Sequence, residues 1–518
     1  MDSGQGWKYL ACAGSNMKQL SGLDNVFLQL ERGNQHMHVA GLAIYDPSSA
    51  AEGRVRFKDV LRFFEARLDA SPIFRRRLVT VPIAADRPYW VEDAVIDVEF
   101  HVRHIALPQP GDWRQLCIQV ARIHSRPLDR SKPLWEAYVI EGLDNIPGLP
   151  GGSFALYVKF HHCALDGEAG TEIVKAIHSL APDAAEAGTL APRMRDRDPS
   201  TVELCARALV NNLGRLPLLT RLAVESGARA AKLGRSALPS RAGDGAGAPD
   251  LRSLVSRAPV TRFSGRVSAH RVVESVGLPL PAMRAVRVAV EGATLNDVFL
   301  ATVGGALNLY LGSKGELPAQ SMTAMVPMTL RGADKTADAG NQIGLAVMKL
   351  HTEIADPVER LRAIRAGAGK AKALSEDLGK DLAKQVFEVM PTFAATTLTR
   401  NLMVPQMNVV ASNVRGPDVP LYMAGARLVS FSPISIAIDG LGLNVTGFSY
   451  DGVMWVCVVA CRDMLPDPAF FADCLRRSFQ ALEDAARSSE DAPKPRATTR
   501  RRKGTPRAAR RASRRVSA

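Results

Sequence analysis

Cysteine is scarce. Seven residues (Cys12, Cys117, Cys163, Cys205, Cys457, Cys461 and Cys474) are spread over 518 positions, an odd number with no CxxC pair. That usage excludes a secreted disulfide framework and leads us to expect reduced, buried thiols in a cytoplasmic protein. Long apolar runs are missing too. Val453–Cys461 and Val298–Gly312, the latter interrupted by Asn308, fall short of the ~20 residues of a spanning helix. Any membrane contact is therefore expected to be peripheral. The first twenty residues have no basic stretch followed by an apolar one, so no secretory signal is read. No repeat of fixed period is visible. GxSxG, the Walker GxxxxGK[ST], a GxGxxG opening a helix, and HExxH are all absent. A covalent serine mechanism, a phosphate-cradling loop and a zinc-protease site lose their usual signatures with them.

What is present is globular. Apolar residues make up 46% and charged residues 23%, which excludes a wholly disordered or collagenous chain and leaves room for two to four domains. The net charge of +14 is not spread evenly. Residues 493–518 hold eleven Lys and Arg and no acid; removing them leaves 55 basic against 52 acidic residues. The body is nearly neutral and the basicity is a tail.

Helical spacing of apolar residues recurs at Phe57–Leu68, Trp113–His124, Thr171–Leu180, Leu295–Leu311 and Pro357–Lys372. Strand-like runs lie at Val39–Tyr45, Ala137–Ile140, Phe154–Phe160, Ser321–Pro327, Ile343–His351, Asn408–Ser412, Leu428–Ile438, Asn444–Tyr450 and Val453–Ala460. Between two such blocks, residues 182–260 turn rich in Ala, Gly, Pro and Arg, with 240–250 as a flexible linker. Within them, Leu204–Arg235 pairs Arg207, Arg215, Arg221, Arg229, Lys232 and Arg235 with Leu209, Leu213, Leu216, Leu218, Leu219 and Leu222. It reads as one or two basic amphipathic helices broken near Pro217, able to lie on a lipid interface or to pack on the body. The division expected is 1–16 as an extension, 17–185 as a first α/β lobe, 186–260 as a helical and flexible connection, 261–485 as a second lobe, and 486–518 as a disordered basic tail.

The sharpest chemical feature is His161-His162-Cys163-Ala164-Leu165-Asp166-Gly167, where an apolar strand gives way to a loop. Adjacent strand residues face opposite ways, so only one of the two histidines projects into a given channel. Imidazole takes a proton from a hydroxyl or amine near neutral pH. No cluster has the spacing of a metal site, and without a nucleophile elbow the chemistry is base-assisted attack by a substrate. A core histidine, a structural histidine and a turn aspartate are the plain alternative.

This segment resembles the HHxxxDG motif of acyltransferases with the chloramphenicol-acetyltransferase-like fold. The whole chain is similar to the bacterial wax ester synthase/acyl-CoA:diacylglycerol acyltransferase family. The resemblance runs from the opening at 20–46, with its Met37-His38-Val39 step, through Pro133-Leu134-Trp135, Asn296-Asp297 and the helix start at 355–361 to Asn413-Val414-Arg415-Gly416-Pro417, over roughly 20–480. It implies an α/β (α+β) fold of two lobes, each a mixed sheet with flanking helices, and an active-site channel between them. It implies transfer of a fatty acyl group from acyl-CoA to diacylglycerol or a long-chain alcohol, giving triacylglycerol or wax ester. The acyl-CoA is a substrate, and neither cofactor nor metal is implied. By the same resemblance His162 is the general base, His161 supports it, and Asp166 with Gly167 shapes the loop, Arg415 being a conceivable ion-pair partner for Asp166. Asn296, near the start of a helix that Thr294 or Asn296 would cap, is placed to face the reacting centre. Pro133, Leu134, Trp135, Asp297, Asn413 and Arg415 are candidates for the channel wall.

Two other readings stay open at this level. Condensation domains of peptide synthetases share HHxxxDG and use carrier-bound acyl groups, although no adenylation or carrier segment accompanies it here. A non-catalytic, basic, lipid-surface protein is the other. A membrane or lipid-droplet surface is the expected partner. No specific nucleic acid is, because the tail attracts any polyanion. Lacking large apolar residues other than Val516, the tail binds anionic surfaces through charge alone. Deleting 493–518 should therefore weaken sedimentation with anionic vesicles at low salt and leave it unchanged at high salt, where screening removes such attraction.

Overall fold

A computed structural model describes residues 17–93, 95–165, 169–183, 197–236, 256–329, 343–378 and 382–491. The extension 1–16, Asp166 and Gly167, the linker 240–250 and the tail beyond 491 lie outside the described residues.

The first half of the chain runs β1 (Lys18–Gln19), α1 (Gly22–Leu30), β2 (His38–Asp46), α2 (Phe57–Glu65), β3 (Arg76–Val79), β4 (Tyr89–Glu92), α3 (Val98–His101), β5 (Val102–Ala106), α4 (Trp113–His124), β6 (Trp135–Glu141), β7 (Phe154–His161), α5 (Ala169–Ala176) and α6 (Thr201–Ser236). The second half runs β8 (Arg271–Pro279), α7 (Leu280–Val288), α8 (Leu295–Ser313), β9 (Thr323–Thr329), β10 (Ile343–Lys349), α9 (Pro357–Leu378), α10 (Leu382–Val389), α11 (Thr392–Leu398), β11 (Val409–Arg415), β12 (Tyr422–Met423), β13 (Ala426–Ile434), β14 (Leu443–Tyr450), β15 (Val453–Cys461) and α12 (Pro468–Asp491).

The local chemistry of these elements is plain in α4. Asp112 accepts the Gln115 N–H at 2.8 Å while the Gln115 side chain accepts the Asp112 N–H at 3.3 Å. This reciprocal cap starts the helix where its apolar stripe begins, and Leu116, Val120 and Ile123 bury that stripe. In β7 every position is buried, including Lys159, whose ammonium pairs with Glu136 at 3.3 Å and donates to the Arg126 carbonyl at 3.0 Å, so the strand has no wet face.

Two six-stranded mixed sheets form, in the orders β12-β13-β2-β7-β6-β5 and β10-β9-β11-β14-β15-β8, with a small third sheet β1-β4-β3. The first sheet is not built from contiguous chain. β13 leaves the second half and pairs antiparallel with β2, Ile434 opposite Ala40 and Arg427 opposite Asp46. A boundary at residue 261 divides the chain but not the sheets. In the second lobe α8 is buried nearly all round. A Cβ at Gly304 would strike the Leu350 carbonyl, and one at Gly305 the Ser478 and Arg360 side chains. These two glycines let α8 approach its neighbours closely.

In two places tertiary contacts carry a helix past the limit read from sequence. α6 continues through Pro217 as one helix, although a proline forfeits one helical hydrogen bond. Its docked face carries it: Leu204 and Ala208 are buried beside Val81 and Tyr89, Asn211 donates to Asp86 and Tyr89 at 2.8 Å each, and Arg215 pairs with Asp86 at 2.6 Å. At the other end α12 runs on to Asp491, six residues past the expected end of the lobe, because Leu482 and Ala486, one turn apart, both face the core.

Trp135 is the clearest test of the first lobe's core. Fully buried, it stacks on Phe64 and His101, meets Phe74 edge-on, and donates its indole N–H to the Phe74 carbonyl at 3.1 Å. Trp135→Ala should cost about 3–5 kcal/mol, seen as a lower urea midpoint at unchanged slope.

Candidate active site

His161 ends β7 and His162 begins the turn that follows. The His162 N–H donates to the Met37 carbonyl at 2.7 Å, and the Leu165 N–H returns to the His162 carbonyl at 3.2 Å. The two rings meet different surroundings, as alternation along a strand requires.

His161 is fully buried and its ring is bonded at both nitrogens. Nδ1 accepts the Cys163 N–H at 3.1 Å, which leaves Nε2 to donate to Glu31 Oε2 at 3.1 Å. That carboxylate also accepts the Met37 N–H at 2.9 Å and the Arg130 guanidinium at 3.0 Å. These partners, His161 first among them, outweigh the burial that would raise the Glu31 pKa, and hold it at about 2. Glu31 is therefore ionised, and it ties the end of β7 to the turn before β2.

His162 has a different setting. Its ring stacks on Phe27 of α1 at 3.8 Å between centroids and 18° between planes. Nδ1 is buried and has no hydrogen-bond partner among the described residues. Burial, with the neighbouring His161 adding to it, pushes the imidazole down to about 4. It is a neutral imidazole at physiological pH, the protonation state a general base needs.

Phe27 belongs to a helix wedged between the lobes. Asn25 donates to Thr392 Oγ1 at 2.9 Å, the Gly22 N–H to Glu388 at 2.8 Å, and Arg87 pairs with Glu388 at 2.5 Å. Around these contacts Val26, Leu30 and Met37 pack with Phe387, Ala395, Val404 and Met407, and Phe27, Met325 and Met403 border the same cluster. A cavity of about 110 Å³ opens at its edge, lined by Met325, Val347, Met403, Gln406 and Met407. The larger cleft of about 370 Å³, lined by Arg54, Arg56 and Arg67 among others, lies elsewhere. It sits by the Asp46 end of β2, whereas His161 pairs with His38 at the other end, roughly 26 Å away at ~3.3 Å per residue.

The remaining sequence candidates scatter. Leu134 packs with Leu20, Leu28, Leu78 and Cys163 directly beneath the histidine turn, and Pro133 next to it is buried. Trp135 is core. Thr294, not Asn296, caps α8, and Asp297 completes that cap, its carboxylate accepting the Thr294 N–H and hydroxyl at 2.8 Å each. Asn296 is half-buried in the first turn of α8. No hydrogen bond, ion pair or ring contact among the described residues joins Asn296 or Asp297 to the histidine turn. Asn413 lies in β11 opposite Gly447. Arg415, at the end of that strand, is mostly exposed and pairs with Asp418 at 3.2 Å. Asp166, its conceivable partner, lies outside the described residues. Sequence reasoning missed Phe27, Glu31 and Arg130. The opening segment containing Phe27 and Glu31 carried the family resemblance, but nothing local marks a partner 130 positions away.

Comparison with known proteins agrees with this architecture. Residues 20–299 match the wax ester synthase/diacylglycerol acyltransferase catalytic domain, and residues 339–483 the corresponding C-terminal domain. The O-acyltransferase WSD of Acinetobacter baylyi is 31% identical over 488 residues, 92% of this chain and 99% of that one. A Mycobacterium tuberculosis protein named probable diacylglycerol O-acyltransferase is 33% identical over 472 residues, 89% of this chain and 98% of its own. Among solved structures, the wax ester synthase/diacylglycerol acyltransferase of Marinobacter aquaeolei VT8 superposes with a TM-score of 0.64 at 28% identity, covering 90% of this chain and 99% of that one. The first condensation domain of the calcium-dependent antibiotic synthetase, at 16% identity, TM-score 0.52, and 91% and 97% coverage, shares the fold. With both family domains matched in order over most of its length, this chain belongs to the wax ester synthase/diacylglycerol acyltransferase family and is an acyltransferase.

Proposed function

We propose that the enzyme transfers a fatty acyl group from acyl-CoA to the hydroxyl of diacylglycerol or a long-chain alcohol, with His162 as general base. The observation that carries this reading is the neutral, Phe27-stacked imidazole beside an apolar cluster shared by the two lobes. His162 takes the hydroxyl proton as the alcohol oxygen bonds to the thioester carbonyl carbon. The tetrahedral centre collapses by breaking the C–S bond, and the imidazolium returns its proton to the departing thiolate. An ester and coenzyme A result, and no covalent enzyme intermediate or cofactor is required.

The other residues divide by what they touch. His161, held by Glu31, keeps the turn in place without reaching substrate. The methionines of the inter-lobe cluster suit a flexible acyl chain, since an unbranched thioether adapts to varied apolar shapes. Asn296 is the candidate for steadying developing negative charge. Asp297 and Trp135 already have cap and core partners, and the reading asks no chemistry of them. Both substrates partition into membranes, so we infer a cytoplasmic enzyme that associates peripherally with a membrane or lipid inclusions. No helix among the described residues is long and apolar enough to cross a bilayer.

Two measurements test this. His162→Ala should stay folded and lose roughly 10²–10⁴ in turnover, the usual weight of a general base. For the wild type, protonation removes the base below its pKa, so kcat/KM should hold steady down to about pH 5 and fall through about 4. An acid limb near 6.5, or full activity in His162→Ala, would defeat the assignment. Separately, free acyl-CoA with diacylglycerols or long-chain alcohols should release thiol. Transfer only from carrier-bound acyl groups, and only to amines, would instead favour condensation-domain chemistry.

A further inference from the structure

α6 has two faces that ask for different partners. Leu204, Ala208, Asn211 and Arg215, spaced by four, three and four residues, make the docked face. Val202, Leu209, Leu213 and Leu216, spaced by seven, four and three, lie on the opposite side at 100° per residue. Each of these four is more than half exposed. Val210 and Val224 border the same stripe and are also exposed. No charged residue interrupts the stripe. Of the helix's six basic residues, Arg215 pairs with Asp86 in the docked face and Arg207 with Glu203, while Arg221, Arg229, Lys232 and Arg235 follow along its C-terminal half against Glu225 alone.

A second observation sits beside it. Ile83 is 97% exposed and adopts a φ of 52°. A β-branched side chain rarely takes that conformation, and no burial within the protein offsets it. The loop bearing Ile83 is tied to α6 where Asn212 donates to the Ala85 carbonyl at 2.9 Å. Asn212 lies on the flank between the two faces, on the side of Leu209 and Leu216, so Ile83 borders the apolar stripe.

We propose that this stripe, with Ile83 at its margin, is the surface by which the enzyme lies on a phospholipid bilayer rich in anionic headgroups. The inference rests on the peripheral-association reading above and names the surface. An uninterrupted apolar stripe on a helix of net positive charge fits an interface that offers acyl chains below and phosphate above. A stripe flanked by Pro217 fits a helix partner less well, because interdigitating packing needs regular side-chain ridges. The leucines concerned are Leu209, Leu213 and Leu216. Leu218 lies off the stripe, Leu219 is half-buried, and the side chain of Leu222 is outside the described residues.

The test is co-sedimentation of the full chain with vesicles of phosphatidylcholine and phosphatidylglycerol in equal parts, at low and high salt. The triple variant L209S/L213S/L216S should lose more than about tenfold in partitioning at both salt levels, since each leucine forfeits buried apolar area. The variant L209M/L213M/L216M should bind as wild type, and I83S should lose less than the triple. None of these residues contacts the histidine turn, so turnover of short-chain, water-soluble substrates should be unchanged in all three. The assay needs no substrate: its failure leaves the acyl-transfer chemistry standing, and loss of that chemistry leaves the vesicle result standing. Unchanged vesicle binding by the serine triple, or a wild-type dimer in sedimentation equilibrium that the triple dissociates, would overturn the inference.

Discussion

The Glu31 carboxylate occupies a position where an unpaired charge would be costly, and three donors from separate segments make it stable there. His161 arrives from the end of β7, the Met37 N–H from the turn before β2, and Arg130 from the loop between α4 and β6. A buried anion tolerates only such dense pairing, so the arrangement specifies where those three segments lie. Met37 in turn accepts the His162 N–H. The His162 imidazole, the proposed base, is thus positioned through backbone held by a charge it does not itself touch. The geometry of that ring is set one layer away, and the ring is left neutral.

The same turn lies on the seam of the molecule. β13 crosses from the second half of the chain to complete the first sheet, so the lobes are joined by a strand ladder as well as by surface contact. α1 is pinned between them, with Phe27 toward His162 and Asn25 and Gly22 toward the helices of the second lobe. An apolar cluster assembled from both lobes suits the long-chain acyl and alcohol groups of the proposed reaction. As the proposed docking surface, the outward face of α6 extends the same logic to where apolar substrates have to be met before they can enter.

Much of the fold was legible because most elements bury a stripe or a face. The Trp113–His124 periodicity ends on the same two residues as α4, and the apolar run from Phe154 marks β7 to within one residue. α1, with its short polar-interrupted pattern, and β8 were not read. The helix through Pro217 was expected to break, because the tertiary contacts that hold it involve Asp86, more than a hundred positions earlier.

For the site, the sequence by itself determined the family, the histidine pair and their strand-to-loop setting, since motif identity and alternation are local properties. It also determined that one histidine would face away from the other. Which ring is locked and which is left available was decided only by tertiary structure. That choice depends on Glu31, Phe27 and Arg130, brought together over separations that no local pattern encodes. Tertiary structure likewise turned Asp297 into a cap and Trp135 into core, and left Leu209, Leu213 and Leu216 outside. The leucines of α6 are alike in sequence, and only the docking of one face on Asp86 and Tyr89 determines which of them meet solvent.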